Sequence, residues 1–184
     1  MLNTKYLIIN PDAAPIINQG ALGNAWFVNE IKIVPNADEE IKAMNDFNPE
    51  NTVIVDERFK DQVAGFTPVA DAGATIRLES FKLNDLVFKS TTSSPQLAVF
   101  SEIHYDKGWN VYVDGQKAEY FRANYVLRGM KIPAGTHTIQ WKFEPEVYAK
   151  GERVSLISSS LMILLLIGAG YMEWKKSRQP AVKS

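Results

Sequence analysis

Three residues that can carry chemistry lie two apart in the stretch SEIHYD: Glu102, His104 and Asp106. In a β-strand, alternate side chains point to the same face, so this spacing would bring two carboxylates and an imidazole together. Such a group could bind a metal ion or act in acid–base catalysis, and Glu102 with Asp106 could form the carboxylate pair that glycosidases use. The same spacing also describes the polar face of an ordinary strand that carries Ile103 and Tyr105 on its other face. We favour this second interpretation and predict no metal ligand, no cofactor and no catalytic residue in this chain.

The composition of the chain excludes several classes of protein. Among 184 residues, 20 are Lys or Arg, 21 are Asp or Glu, and none is Cys. The balanced charge gives no global field that would attract nucleic acid, so we expect no nucleic-acid partner. Without cysteine there are no disulfides and no thiol chemistry. The sequence also has no phosphate-binding glycine loop and no Gly-x-Ser-x-Gly motif.

The elements that would position these residues are short strands, predicted from Gly73 onward by alternating apolar and polar residues. Asp114-Gly115 predicts a type I′ hairpin turn, because both central residues of that turn need positive φ. Another turn is predicted at Pro133-Ala134-Gly135. In the strand that follows, alternation turns four side chains inward: His137, Ile139, Trp141 and Phe143. His137 is therefore predicted to be a packed or hydrogen-bonded core histidine. Several short strands at this spacing predict a β-sandwich of the jelly-roll or immunoglobulin-like kind.

The beginning of the chain predicts a small α/β unit. Residues 25–34 alternate as one strand, and residues 51–57 contain a second, short apolar strand. Between these strands, Asn36 can cap a helix that has Glu39 in the capping-box position. The apolar residues of this helix recur at helical spacing: Ile41, Met44 and Phe47.

One long apolar run predicts a membrane-spanning helix at residues 152–174. Residues 154–171 carry no charge and are rich in Leu, Ile and Ser, and about 20 apolar residues span the hydrocarbon core of a bilayer. Tyr148, Tyr171 and Trp174 flank the run, as aromatic residues do at membrane interfaces. The alternative is a buried core helix, but such a helix would show a polar stripe at helical spacing, and only serines interrupt this run.

The charges that flank this run predict its orientation. Residues 175–184 carry four basic residues and no acid: Lys175, Lys176, Arg178 and Lys183. The positive-inside rule then places this tail in the cytoplasm and the residues before about 150 on the outer side of the membrane. Residues 1–15 do not have the pattern of a signal peptide. We therefore expect a C-terminal piece of a longer polytopic membrane protein; the alternative, a tail-anchored protein that faces the cytoplasm, is disfavoured by the basic tail.

The predicted fold class is α+β. It comprises a small α/β unit, a mainly antiparallel β-sandwich and one C-terminal transmembrane helix. The predicted boundaries are 1–60 for the α/β unit, 61–72 for a linker, 73–147 for the exoplasmic sandwich, 152–174 for the transmembrane helix and 175–184 for the cytoplasmic tail.

The stretch from SEIHY to LISS, residues 101–159, resembles the C-terminal segment of the YfhO family of bacterial integral membrane proteins. The segments LNTKYLIIN, NQGALGNAWFVNEIKIV and VDERF resemble those that precede it in the family. His104 departs from the family pattern, in which we expect Tyr, and this further weakens a metal role for it. The motifs that carry the resemblance in combination are Gly108-Trp109, Val113-Asp114-Gly115, Arg122-Ala123-Asn124, Arg128-Gly129 and Pro133-Ala134-Gly135.

The resemblance implies a relation to the GT-C class of membrane glycosyltransferases, which use lipid-linked sugar donors. These proteins place catalytic acids in an early exoplasmic loop, which has no counterpart in this chain. The implied role is an exoplasmic accessory region and last membrane helix of an enzyme that glycosylates cell-envelope polymers. The implied partners are membrane lipid, upstream transmembrane helices of the parent protein, and a glycan or a polyprenyl-phosphate sugar.

The alternative function is a non-enzymatic carbohydrate-binding or membrane-assembly module. Sugar binding by stacking needs exposed aromatic rings. The candidate carbohydrate-binding residues are Trp109, Tyr112, Tyr120 and Tyr125.

Overall fold

The computed structural model describes residues 1–178, apart from the side chains of Ala149 and Ser177. Met1–Glu144 form one compact unit, and Pro145–Ser184 form a second. Part of the predicted basic tail, residues 179–184 with Lys183, lies outside the described residues.

The first unit is built mainly of short β-strands. In chain order they are β1 (Tyr6–Leu7), β2 (Ile16–Ile17), β3 (Ala25–Val28), β4 (Glu30–Val34), β5 (Thr52–Asp56), β6 (Thr75–Lys82), β7 (Asp85–Thr92), β8 (Gln96–Ile103), β9 (Trp109–Val113), β10 (Gln116–Ala118), β11 (Phe121–Ala123), β12 (Leu127–Ile132) and β13 (Gly135–Phe143). The helical segments of the chain are α1 (Ala37–Ala43), a 3-10 turn (Glu57–Phe59), α2 (Lys60–Val63) and α3 (Glu146–Ser177).

Two antiparallel sheets form the sandwich. One has five strands in the order β10-β9-β13-β7-β6, and the other has four in the order β11-β12-β8-β3. Their facing side chains share one buried core, in which Phe88, Ile139 and Trp141 of the five-stranded sheet meet Phe100 and Met130 of the other. The predicted α+β fold with a β-sandwich and a C-terminal helix is confirmed.

The four-stranded sheet is buried on both faces and forms a central layer. Alternate residues of β8 point to opposite sides: Phe100 enters the sandwich core, whereas Leu97 and Val99 enter a second core with Val53 and Val55 of β5. The parallel pair β4–β5 therefore covers the outer face of this sheet. A strand buried on both faces reads as a continuous apolar run, as the sequence of β8 does.

The predicted single strand at residues 25–34 is divided in the structure. Its first part, β3, pairs with β8 of the sandwich, and its second part, β4, pairs in parallel with β5. The amide nitrogens of Asn29 and Glu30 both donate to the carbonyl oxygen of Asn51, at 2.8 and 3.0 Å, so the chain leaves one sheet for the other here. The alternation does not continue across this point, and Ile33 is exposed. The predicted domain boundaries stay a prediction.

The predicted cap of α1 is confirmed, but its buried face is not the predicted one. Asn36 Oδ1 accepts a hydrogen bond from the amide of Glu39 at 3.0 Å. Ile41, predicted on the apolar face, is 47% exposed, whereas Glu40 is fully buried. The residue of α1 that points into the protein interior is therefore the charged Glu40, and its burial is explained by the ion pair and hydrogen bonds described below.

The predicted type I′ turn between β9 and β10 is confirmed. Val113 pairs with Gln116, which leaves Asp114 and Gly115 as a two-residue loop. Their φ angles are +50° and +82°, the two positive values that this turn needs.

The helix α3 is long and apolar enough to cross a membrane, by length and composition, over Glu146–Lys176. A core helix of a soluble protein would bury such a surface. Here the large apolar side chains along the helix, such as Leu161, Leu164 and Ile167, are exposed.

Candidate functional site

The partners of Glu40 form a cluster of buried charges where β5 and α1 meet β11. Arg122 Nη2 lies 2.6 Å from Glu40 Oε2 and 3.2 Å from Asp56 Oδ2. Asp56 also accepts from Arg58, at 3.1 Å from Nε and 2.8 Å from Nη2. Two carboxylates are thus matched by two guanidinium groups, which is how buried charge is tolerated.

The two carboxylates of this cluster have pKa values displaced in opposite directions. Burial raises the pKa of Glu40, although Arg122 and the amide of Tyr125, which donates to Glu40 Oε1 at 2.7 Å, oppose this effect. The hydrogen bonds from Arg58 lower the pKa of Asp56, against the opposing effect of burial. Arg122 links both groups, so the cluster joins α1, β5 and β11 through one side chain.

Asn124 adds a second connection between β5 and the central sheet. Its side-chain oxygen accepts from the amide of Ile54 at 2.8 Å, and its own amide donates to the carbonyl of Ile54 at 2.9 Å. Asn124 and Tyr125 have φ angles of +47° and +68°. Consecutive left-handed residues without glycine carry backbone strain. Here they aim the Tyr125 amide at Glu40, so the strain accompanies a defined contact.

A cleft of about 360 Å³ opens beside this cluster. Its walls carry two guanidinium groups, an imidazole, a carboxylate and three aromatic rings. The lining residues are Arg58, Phe59, Ile103, His104, Tyr105, Asp106, Arg122, Tyr125 and Val126. We call this space the Arg122 cleft.

The Arg122 side chain forms part of the wall of this cleft, and its guanidinium packs against two of the rings. Its guanidinium carbon lies 5.7 Å from the centre of the Phe59 ring and 5.4 Å from that of Tyr125. Its Nε atom is buried and has no hydrogen-bond partner among the described residues. Burial lowers the pKa of His104 at the same cleft, which favours the neutral imidazole. Guanidinium donors next to ring faces suit a polyhydroxylated or anionic ligand.

The Glu102, His104 and Asp106 group is only partly brought together. Strand β8 ends at Ile103, so strand alternation does not continue through the group. His104 and Asp106 line the Arg122 cleft, whereas Glu102 does not, and burial raises the pKa of Glu102. Within residues 1–178, no group of three or more His, Asp and Glu side chains is placed to hold a metal ion.

The four candidate carbohydrate-binding residues lie in different surroundings, and each is half-buried. Trp109 and Tyr112 are three apart on β9 and point to opposite faces. The Tyr112 hydroxyl donates to Glu144 at 2.8 Å on the outer face of the sheet. Tyr125 lines the Arg122 cleft. Their role in sugar binding stays a prediction.

Trp109 and Tyr120 are half-buried and pack against the buried side chains of Trp141 and Arg128 at the edge of the sandwich core. The rings of Tyr120 and Trp141 meet edge to face at 4.9 Å, and the Tyr120 hydroxyl lies 3.2 Å from the carbonyl oxygen of Trp109. The guanidinium of the buried Arg128 lies 4.3 Å from the centre of the Trp109 ring and 4.9 Å from that of Trp141. This contact is a desolvated cation–π stack, and it occupies ring faces that a sugar would need.

Sequence reasoning missed most of the Arg122 cleft. Arg122 lies in a motif that carried the family resemblance, but nothing local assigned it a role. Arg58, Phe59 and Tyr105 also lie in stretches that carried the resemblance, VDERF and SEIHY, but no local pattern assigned them a role. Glu40 lies 82 residues from Arg122, so no local signal could identify their pairing.

The fold and the helix together define the class of this protein: a β-sandwich domain that continues directly into a helix long enough to cross a membrane. Residues 68–155 match the family model of the bacterial membrane protein YfhO, and this match is consistent with a YfhO-family region in this part of the chain. The match includes Tyr105, Arg122 and Arg128, whereas Glu40 and Asp56 precede it. The predicted membrane localisation is supported by this match and by α3. No curated protein and no solved structure matches the chain.

Proposed function

We propose that this chain is the exoplasmic accessory region and last membrane helix of a YfhO-family glycosyltransferase that uses lipid-linked sugars to modify cell-envelope polymers. The transfer chemistry belongs to other membrane helices of that protein, which are also the main partners of this chain. The soluble unit lies outside the inner membrane, and the end of α3 lies in the cytoplasm.

One observation carries this proposal: the Arg122 cleft lies at the end of the sandwich from which the chain enters α3. The amide of Glu144 donates to the carbonyl of Gly108 at 2.6 Å, so the loop that contributes Tyr105 and Asp106 is hydrogen-bonded to the last residue of the first unit. Two residues later, α3 begins at Glu146. A lipid-linked donor presents its sugar at the membrane surface, so a cleft at this end could hold an acceptor polymer close to it.

The chemistry of the cleft supports acceptor binding better than catalysis. Tyr105 provides an exposed ring for sugars, and Arg58 and Arg122, which stack on the rings of Phe59 and Tyr125, provide donors for hydroxyl or phosphate oxygens. The described residues of the cleft include one carboxylate, Asp106, rather than the pair that glycoside chemistry uses. The buried charge cluster then serves to hold the walls of the cleft in place.

The test combines a transfer assay with a binding assay on the whole chain in lipid nanodiscs. With polyprenyl-phosphate sugars and an envelope polymer, we expect no product above a protein-free blank. Turnover that disappears in Asp106→Asn or Glu102→Gln would contradict the accessory role. Binding of the polymer is expected to weaken in Tyr105→Ala and to stay unchanged in Tyr6→Ala, a matched variant at an exposed tyrosine outside the cleft.

A second candidate function is a carbohydrate-binding or membrane-assembly module without any link to sugar transfer. The aromatic and guanidinium lining of the Arg122 cleft supports this module as well as it supports the accessory role in sugar transfer. The two functions differ in the membrane: deletion of the sandwich from the YfhO-family protein should abolish sugar transfer if the region is an accessory to the enzyme. Normal transfer without the sandwich would favour the separate module.

A further inference from the structure

The hairpin between β6 and β7 has an unusual apolar tip. Lys82 pairs with Asp85, so Leu83 and Asn84 form a two-residue turn. Glycine, Asn and Asp dominate such turns, and leucine is rarely chosen there. Leu83 is 88% exposed, and Phe81, two residues before it on β6, is 62% exposed. Two large apolar side chains are therefore mostly exposed at the tip.

The tip lies where the chain leaves the sandwich. The carbonyl oxygen of Asn84 accepts a hydrogen bond from the amide of Phe143, the last residue of β13, at 2.9 Å. The chain then passes through Glu144 and Pro145 into α3, which begins at Glu146. The apolar tip and the start of the membrane helix are thus joined by one backbone hydrogen bond and three residues of chain.

The connection between the sandwich and the uncharged part of α3 is short. The uncharged run begins at Val154, so residues 146–153 separate it from the sandwich. Eight helical residues at 1.5 Å each amount to about 12 Å, against roughly 5–8 Å for the headgroup layer of one leaflet. This short connection keeps the tip within reach of the interface of the bilayer that α3 crosses.

The surrounding residues match the composition of a membrane interface. Lys82 in the tip and Lys107 in the neighbouring loop are both exposed, and lysines beside apolar side chains suit the phosphate layer. Asp106 and Glu144 lie nearby and offset this charge; the Glu144 carboxylate is held by Tyr112 and Asn110. The apolar side chains rather than net charge would then provide the attraction.

We propose that the β6–β7 tip, formed by Phe81, Lys82 and Leu83, inserts into the headgroup region of the bilayer that α3 crosses. This contact fixes the orientation of the sandwich on the membrane. It does not depend on whether the Arg122 cleft binds sugars.

The absence of cysteine from the chain permits a direct test. Leu83→Cys is labelled with an environment-sensitive NBD fluorophore in the whole chain, reconstituted in nanodiscs of phosphatidylethanolamine and phosphatidylglycerol. Emission is expected to shift to the blue, and its intensity to fall when part of the lipid carries a doxyl quencher near the headgroup. Since Leu83 is exposed, the substitution removes no core contact; Phe81→Cys provides a second label at the same tip.

The matched control is Val69→Cys, another exposed apolar position, which is 59% exposed. Val69 lies at the opposite end of the sandwich. Its carbonyl oxygen accepts a hydrogen bond from the side chain of Gln96, the first residue of β8. Gln96 pairs with Ile132, the last residue of β12, so this is the end at which β13 begins rather than the end at which it stops. Its label should emit as in water and resist the lipid quencher. Equal, water-like emission from all labels would overturn the proposal. A blue shift at the tip without quenching by lipid would also overturn it, because the tip would then be covered by protein.

Discussion

Glu39 and Glu40 are neighbours in sequence but differ in what they contribute. Glu40 is fully buried and bonded to Arg122 and the Tyr125 amide, whereas Glu39 pairs on the surface with Lys42. Glu40→Ala removes the closer of the two carboxylates that Arg122 contacts. Removing one member of a buried ion pair lowers stability strongly, because the other charge stays buried without its partner. We expect Glu40→Ala to lower the free energy of unfolding by about 3 kcal/mol, measured by denaturant titration of the whole chain in detergent.

The matched variant Glu39→Ala removes only a surface pair. Its expected cost is below about 0.5 kcal/mol, because exposed ion pairs contribute little. Similar costs for the two variants would show that the buried charge cluster does not hold α1 against the central sheet.

His137 makes stability depend on pH through its contact with Asp114. Its Nδ1 lies 2.6 Å from Asp114 Oδ2, and its Nε2 lies 3.0 Å from the carbonyl of Ala134. Both partners accept hydrogen bonds, so they favour the doubly protonated imidazolium. The Asp114 hydrogen bond raises the pKa of His137 above 6.5, and the His137 hydrogen bond lowers the pKa of Asp114 below 3.8.

The direction of the pH effect follows from these two shifts. A raised folded-state pKa of His137 stabilises the protein fully below 6.5, and this stability is lost as the pH rises through the folded value. Asp114, whose pKa is lowered, contributes to stability above pH 3.8, and this contribution is lost as the pH falls below that value. We expect the melting temperature of wild type to fall relative to that of Asp114→Asn as the pH rises from 6 to above 7. A constant difference between the two proteins would contradict this.

The other histidine does not disturb this comparison. Burial lowers the pKa of His104, so its contribution has the opposite sign and is lost as the pH falls through 6.5. His104 is present in both proteins, and its effect cancels in the difference between them. Asparagine at position 114 is chosen because it tolerates the positive φ of this turn position.

At the scale of single elements, the β9–β10 turn should be sensitive to the residue at position 115. Its φ of +82° disfavours a β-branched side chain, so Gly115→Val is expected to cost about 1–3 kcal/mol. Gly115→Asn is the control, because asparagine enters this region at lower cost. Thermal unfolding of the whole chain compares the two, and equal melting temperatures would show that backbone strain at this position is unimportant.

Elements whose causes are local could be predicted from the sequence. The Asp114-Gly115 turn depends on two adjacent residues, and the α1 cap depends on Asn36 and the amide three residues later. The alternation of β13 correctly turned Ile139 and Trp141 inward. In each case the sequence contains both sides of the interaction within a few residues.

Elements whose causes are distant could not be predicted. The division of residues 25–34 depends on the carbonyl of Asn51, and the burial of Glu40 depends on Arg122. The Arg122 cleft has walls from the 3-10 turn, the loop after β8, and β11. No spacing in the sequence brings these segments together, so the sequence pointed to Glu102, which lies outside the cleft, and to four aromatic residues of which only Tyr125 lines it.

At the scale of the whole molecule, the orientation in the membrane is open to direct measurement. The basic residues Lys175, Lys176 and Arg178 follow the uncharged run, and the positive-inside rule places them in the cytoplasm. In the membrane protein proposed above, a reporter active only outside the cytoplasm should stay inactive when fused after Ser184. A reporter that matures only in the cytoplasm should be active at the same site. The reverse pattern would overturn the proposed orientation.

The central sheet also determines the order in which this chain can fold. In this sheet β3, at residues 25–28, pairs with β8, which the ribosome synthesises only from residue 96 onward. The other edge of β8 pairs with β12, which is synthesised later still. Closing such long loops makes folding slow, because many residues must be ordered before the pairing stabilises them. A nascent chain that stops before β13 would leave Phe88 and Phe100 without Trp141. Newly made copies would then depend on chaperones until almost the whole unit has been synthesised.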